Sequence, residues 1–173
     1  MTAGNHDAVK AGLRDHLRRL WRYGLVLSAS RDTADDLVQA TCVRALERAH
    51  QFQPGTHLDR WLMAILHSIW LNEVRAARYR RGQGLVDAES ALVFDGAGAI
   101  ETNISAAQVL ARVQALPEAQ RETVFLVYVE GFSYREASAV LDVPIGTVMS
   151  RLAAARAKLA ALGADAENRP EES

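Results

Sequence analysis

From Gly82 to Ser105 the chain carries no lysine or arginine, four acidic residues, four glycines and no hydrophobic period. Such a stretch reads as a tether and not as an element. It splits the chain into two blocks, each of which must bury its own apolar residues. Both blocks show helical periodicity. Leu13, Leu17, Leu20, Gly24 and Leu27 recur at three- and four-residue spacing in the first, which predicts a helix over about Val9–Ser28 with Asp32 capping the next. That second helix is expected from about Thr33 to His50, with Leu37, Val38, Thr41, Ala45, Leu46 and Ala49 inward. After a Gln53-Pro54-Gly55-Thr56 loop, a third is expected over about Leu58–Arg80, with Trp61, Leu62, Ile65, Leu66, Ile69 and Val74 as its stripe.

The second block opens near Ala106, with Val109, Leu110, Val113 and Leu116 in register. Pro117-Glu118 starts another helix, whose core residues are expected to be Val124, Phe125, Val127 and Tyr128, and Gly131 ends it. The expected fold is all-α. Two small helical domains, about 8–81 and 106–163, are joined by an acidic linker at 82–105 and followed by a disordered tail at 164–173.

The formal net charge of −1 conceals a segregation. Residues 1–81 hold 13 Lys/Arg against 8 Asp/Glu, whereas residues 106–163 hold 6 against 5. Local distribution therefore says more about nucleic acid than the overall balance does. No apolar run approaches the roughly 18–20 residues that span a bilayer, and the polar start has no signal-peptide core, so a cytoplasmic protein without stable membrane insertion is expected. Cys42 is the single cysteine, which excludes an intrachain disulfide and reads as buried filler. The five histidines are scattered without a metal-binding spacing, no catalytic constellation is visible, and neither a metal, a cofactor nor an enzymatic activity is expected.

Phe132 to Leu152 reads as a helix-turn-helix. Leu141-Asp142-Val143-Pro144 is the turn, where the backbone calls for a left-handed residue and Asp is one of the few alternatives to Gly. Pro144 suits the first turn of the following helix, expected from about Ile145 to Leu162 with Val148, Leu152, Ala155 and Leu159 inward. Ser138 is small enough to let the two helices cross closely. Thr147, Ser150 and Arg151 are candidates for base edges or phosphates in a major groove, and Arg156 and Lys158 for the phosphate backbone.

In order, three segments resemble the compact bacterial sigma factors of the extracytoplasmic-function group, within the sigma-70 family. Ala34-Asp35-Asp36-Leu37-Val38-Gln39-Ala40-Thr41 is similar to that family's acidic region 2 motif, with Arg44-Ala45-Leu46 following. Trp61-Leu62-Met63-Ala64-Ile65, with Arg75, Arg78, Arg80 and Arg81 downstream, is similar to its promoter-melting helix. Leu116-Pro117-Glu118-Ala119-Gln120-Arg121, Gly131-Phe132-Ser133-Tyr134 and Val143 to Leu152 are similar to region 4.

The resemblance implies a non-enzymatic initiation subunit that binds core RNA polymerase, through its clamp helices and flap, and directs it to promoter DNA. It further implies control by an anti-sigma factor, in a stress or envelope response. Asp35, Asp36, Leu37 and Gln39 are then expected to dock on the clamp helices. The loop His50–His57 is expected to capture an unstacked minus-ten base, with Phe52, His50 and His57 to stack on it and Trp61 just beyond as a further minus-ten residue; Phe52 and Trp61 have a core reading as well. Asn72 and Arg75 are expected on the melted strand, with Arg78, Arg80 and Arg81 as the phosphate track. The minus-35 reader is expected to comprise Pro144, Thr147, Ser150, Arg151, Arg156 and Lys158. The acidic linker has a further reading, as a nucleic-acid mimic in the polymerase's RNA path.

The chain departs from the family pattern at Ala40 (usually Glu), His67-Ser68 (commonly Arg-Asn), Trp70 (often small), Asp142 (frequently Gly) and Met149 (frequently Lys). Two other functions remain open on sequence: a helix-turn-helix regulator acting without polymerase, and a sigma-like adaptor that sequesters an anti-sigma factor.

Overall fold

The structure is a computed structural model that describes residues 2–82 and 112–167, with side chains for residues 4–82 and 112–161. The linker from residue 83, the helical start at 106–111 and residues 168–173 of the tail lie outside the described residues. No strand occurs among the described residues, and the chain divides into two units.

In the N-terminal unit, α1 spans Thr2–Ser28, α2 Arg31–Glu47 and α3 Leu58–Arg80, with a 3-10 turn at Ala49–Gln51 after α2. α1 thus begins upstream of the apolar stripe. It ends where Ala29 turns left-handed (φ 60°) and bonds back to the Leu25 carbonyl at 2.9 Å. Ser30, not Asp32, caps α2: its Oγ accepts the Thr33 N–H at 3.3 Å. Asp32 sits in the first turn, where the helix macrodipole favours a carboxylate.

The core draws Val9, Leu13, Leu20, Tyr23 and Leu27 from α1, Leu37, Thr41 and Ala45 from α2, and Leu62, Met63, Leu66, Ile69 and Trp70 from α3. Leu17, expected on the inner stripe, is 40% exposed, because Tyr23 and Leu27 carry the buried face past it. α1 and α2 meet closely at Gly24, where an added Cβ would lie 3.2 Å from the Ala34 Cα. A side chain there would press on the α2 backbone, which would have to give by a few tenths of an ångström. An ion pair ties α1 to α3: Arg19 Nη2 lies 3.1 Å from Asp59 Oδ2.

Further along the chain, α4 spans Glu118–Val124 and runs on into a π-turn at Phe125–Val129, followed by α5 at Tyr134–Leu141 and α6 at Ile145–Glu167. Pro117 is the N-cap of α4, as its missing N–H suits. In the π-turn the Glu130 N–H bonds the Phe125 carbonyl at 3.0 Å, five residues back. The wider turn shifts the phase, so Leu126 is fully buried and Tyr128, expected in the core, is 55% exposed. α6 continues through Glu167, beyond the expected start of a disordered tail.

Candidate functional site

Helix phase sorts the acidic motif of α2. Asp35, Asp36 and Gln39 are exposed, whereas Leu37 between them is fully buried. The Leu37 side chain anchors α2 in the core. The Asp35 carboxylate is held from α1: Trp21 Nε1 donates to its Oδ1 at 2.8 Å. Across on α3, partial burial and then the nearby negative charge of Asp36 push the Glu73 carboxyl above its ordinary value. Trp21 and Glu73 thus join the acidic face from neighbouring helices. No local sequence pattern marks them, since both reach it only through the fold.

The loop before α3 is organised by Phe52, which is 6% exposed and packs on Trp61 with ring centroids 5.4 Å apart at 45°. Its carbonyl accepts Asn5 Nδ2 at 3.0 Å. Phe52 thus packs on the core side of the loop, the second of the two readings its sequence position allowed. Trp61 is half-buried, and His50 and His57 are exposed at either end of the loop. Between them Gly55 takes φ 87° and Thr56 Oγ1 donates to the Gln53 carbonyl at 2.7 Å. Along α3, Asn72 and Arg75 are exposed and Arg78 is half-buried. His67 and Trp70, two of the family departures, are buried, so they alter the core and not the outer face.

At the foot of α3, Asp59 is flanked by Arg19 and Arg60. Burial works to raise its pKa, yet the Arg60 hydrogen bond and charge, with Arg19 beyond, outweigh it and hold the carboxyl below the usual range. Burial raises the Cys42 thiol, which favours the inert protonated form.

The helix-turn-helix is built by local hydrogen bonds. Ser133 and Glu136 form a reciprocal capping box on α5: the Ser133 N–H donates to Glu136 Oε2 at 2.8 Å, and the Glu136 N–H to Ser133 Oγ at 3.2 Å. Asp142 occupies the left-handed region at φ 52°, as the turn required. Ser138 Oγ donates to the Val143 carbonyl at 2.6 Å, fixing the turn from inside α5. Val148, Leu152 and Ala155 are buried, leaving Pro144 and Ser150 exposed and Thr147 half-exposed.

Arg151 behaves unlike its neighbours. Its Nη1 lies 3.2 Å from Glu122 Oε1, and the two side chains are only 23% and 8% exposed. The expected base-reading arginine is thus engaged in a largely buried ion pair between α6 and α4. Arg156 is exposed and donates to the Tyr128 hydroxyl at 3.3 Å, and Lys158 is exposed. Among the described residues no cluster of His, Cys, Asp or Glu could hold a metal. No helix of the described residues is long and apolar enough to cross a membrane.

Residues 13–80 match the family described as Sigma-70 region 2, and residues 106–159 the one described as Sigma-70, region 4. The chain is 34% identical to the ECF RNA polymerase sigma factor EcfG of Rhodopseudomonas palustris, over 90% of this chain and 85% of that one. The chain belongs to the extracytoplasmic-function sigma factors. A further relative of this sigma factor is SigC of Mycobacterium tuberculosis, 32% identical over 95% of this chain and 86% of the relative. Among solved structures, the Bartonella quintana sigma factor RpoE, crystallised with the anti-sigma factor NepR, superposes with a TM-score of 0.69. The identity there is 28%, covering 88% of this chain and 94% of that one. α1 to α3 of the sigma factor are accordingly its region 2, and α4 to α6 belong to its region 4.

Proposed function

We propose that this sigma factor grips core RNA polymerase through Asp35, Asp36 and Gln39, with Trp21 holding the Asp35 carboxylate for the contact. The observation that carries the assignment is the split within one motif: both aspartates face solvent while Leu37 secures the helix beneath them. Carboxylates with no core duty are the ones a basic partner surface can take over. Reconstituted initiation tests it. Purified sigma factor with core polymerase should give specific transcripts, and Asp35→Ala with Asp36→Ala should abolish them at limiting sigma. Full activity of the double variant would overturn the docking assignment.

Minus-ten DNA is assigned to His57, Trp61, Asn72, Arg75 and Arg78, which offer an aromatic edge, an amide and cations for an unstacked strand. The minus-35 duplex is assigned to α6, through Pro144, Thr147 and Ser150 at its start and Arg156 and Lys158 on phosphates. The two readers are placed on separate domains, about 8–81 and 106–163, that act in the cytoplasm where polymerase works. A relative crystallised with an anti-sigma factor supports the same form of control here. Such an inhibitor should suppress transcription in the reconstituted system, with the suppression relieved by excess core polymerase.

A further inference from the structure

The start of α6 combines two features. From Ile145 to Ala155 the only charged residue is Arg151, and its guanidinium is held by Glu122 at 3.2 Å. On the outer side, Ile145 and Met149 are 46% and 53% exposed, one helical turn apart, and Ala153 continues the exposed line another turn on. Ser150 Oγ spends its one donor on the Thr147 carbonyl at 3.0 Å and faces the DNA side as an acceptor. Isolated exposed apolar residues are ordinary on a protein surface. Here they lie along the segment that must face base edges if α6 is the upstream reader, a reading on which this inference rests.

Guanine is read in the major groove chiefly by a bidentate arginine or lysine, and adenine by Asn or Gln. Neither kind of side chain is on offer in this stretch. What thymine alone presents there is a methyl group, and its complement is an apolar side chain. We propose that Ile145 and Met149 are specificity-determining residues that select thymines in the upstream promoter element by packing on their C5-methyl groups. Cation readout of guanine has no part in it, and Arg156 and Lys158, further along α6, contribute sequence-independent phosphate affinity.

The test uses holoenzyme reconstituted from the full chain and core polymerase, on a promoter found by mapping start sites. Thymines of the upstream element are replaced one at a time by deoxyuridine, which keeps the base pair and removes only the methyl. At one or two positions promoter affinity should fall about fourfold, the value of one buried methyl-sized group. Met149→Ala and Ile145→Ala should each lower affinity for the unmodified promoter by a similar factor. Each should also lose sensitivity to the deoxyuridine at its own position, a coupling that a purely structural role would not produce. Both side chains are exposed, so the fold should survive, and unchanged unfolding curves check that. Insensitivity to every deoxyuridine, or equal losses for the variants on both DNAs, would overturn the proposal. Scrambling the whole upstream element separates the two layers. If scrambling lowers initiation while deoxyuridine does not, only the methyl readout fails; if scrambling changes nothing, the assignment of α6 as upstream reader fails with it.

Discussion

The acidic motif of α2 and the basic motif of α6 put their charges to opposite uses. On α2 the two aspartates face solvent and the apolar Leu37 goes inward. On α6 the one arginine near the turn flanks the buried line of Val148, Leu152 and Ala155, and closes on Glu122. Successive residues of a helix point about 100° apart, so neighbours in one motif can have unrelated roles. A charge in a binding motif is therefore no proxy for a contact; the phase of the helix decides whether it meets a partner or its own domain.

The contrast can be broken most forcefully at Leu37. Leu37→Ala should cost the N-terminal domain about 3 kcal/mol, as lost burial plus cavity, read by hydrogen exchange of α1 to α3. A loss under about 0.5 kcal/mol, the level of a surface change, would return Leu37 to the surface. Next in size, Arg151→Ala should destabilise the C-terminal domain by about 2 kcal/mol. That is less than the roughly 3–5 kcal/mol for breaking a fully buried pair, because Arg151 keeps some solvent and Arg121 also bears on Glu122. Replacing both partners, Glu122→Gln with Arg151→Met, should recover most of the stability, which a direct DNA role for Arg151 does not predict.

The aspartates sharpen the other side. Asp35→Ala with Asp36→Ala should weaken core polymerase binding at least about tenfold, or 1.4 kcal/mol, and leave the unfolding free energy within about 0.5 kcal/mol of the parent. The smallest effect concerns pH. Asp59 is held below the usual carboxylate range, so its contribution is present above the unfolded-state value and lost as pH falls through the depressed one. Glu73 is raised, so its contribution runs the other way, present at low pH and lost as pH climbs through the raised value. Asp59→Asn should therefore flatten the acid limb of the stability profile, and Glu73→Gln should slightly stabilise the domain near neutrality.

How far the sequence could be read follows from the same physics. α3 was legible to its ends, because a loop with Pro54 and Gly55 precedes it and an unbroken stripe fills it. The turn of the helix-turn-helix was legible too, since few residues tolerate the backbone that Asp142 adopts. Ser30 and Asp32 are both good caps, and only the backbone distinguishes them. Phe52 had two readings, and its contact with Trp61 decides for the core. Trp21 on Asp35, and Glu122 on Arg151, were beyond reach: the partners lie 14 and 29 residues apart, and no helical period links them.

The π-turn at Phe125–Val129 has a consequence for chain length. It holds one residue more than a regular helical turn, so within the helical segments of region 4 it is the place where losing one residue leaves a regular helix behind. Removing one residue there would restore ordinary helical winding, while a deletion in α6 would rotate every downstream side chain by about 100°. Region 4 of this sigma factor thus carries, beside its DNA reader, a built-in slack of one residue.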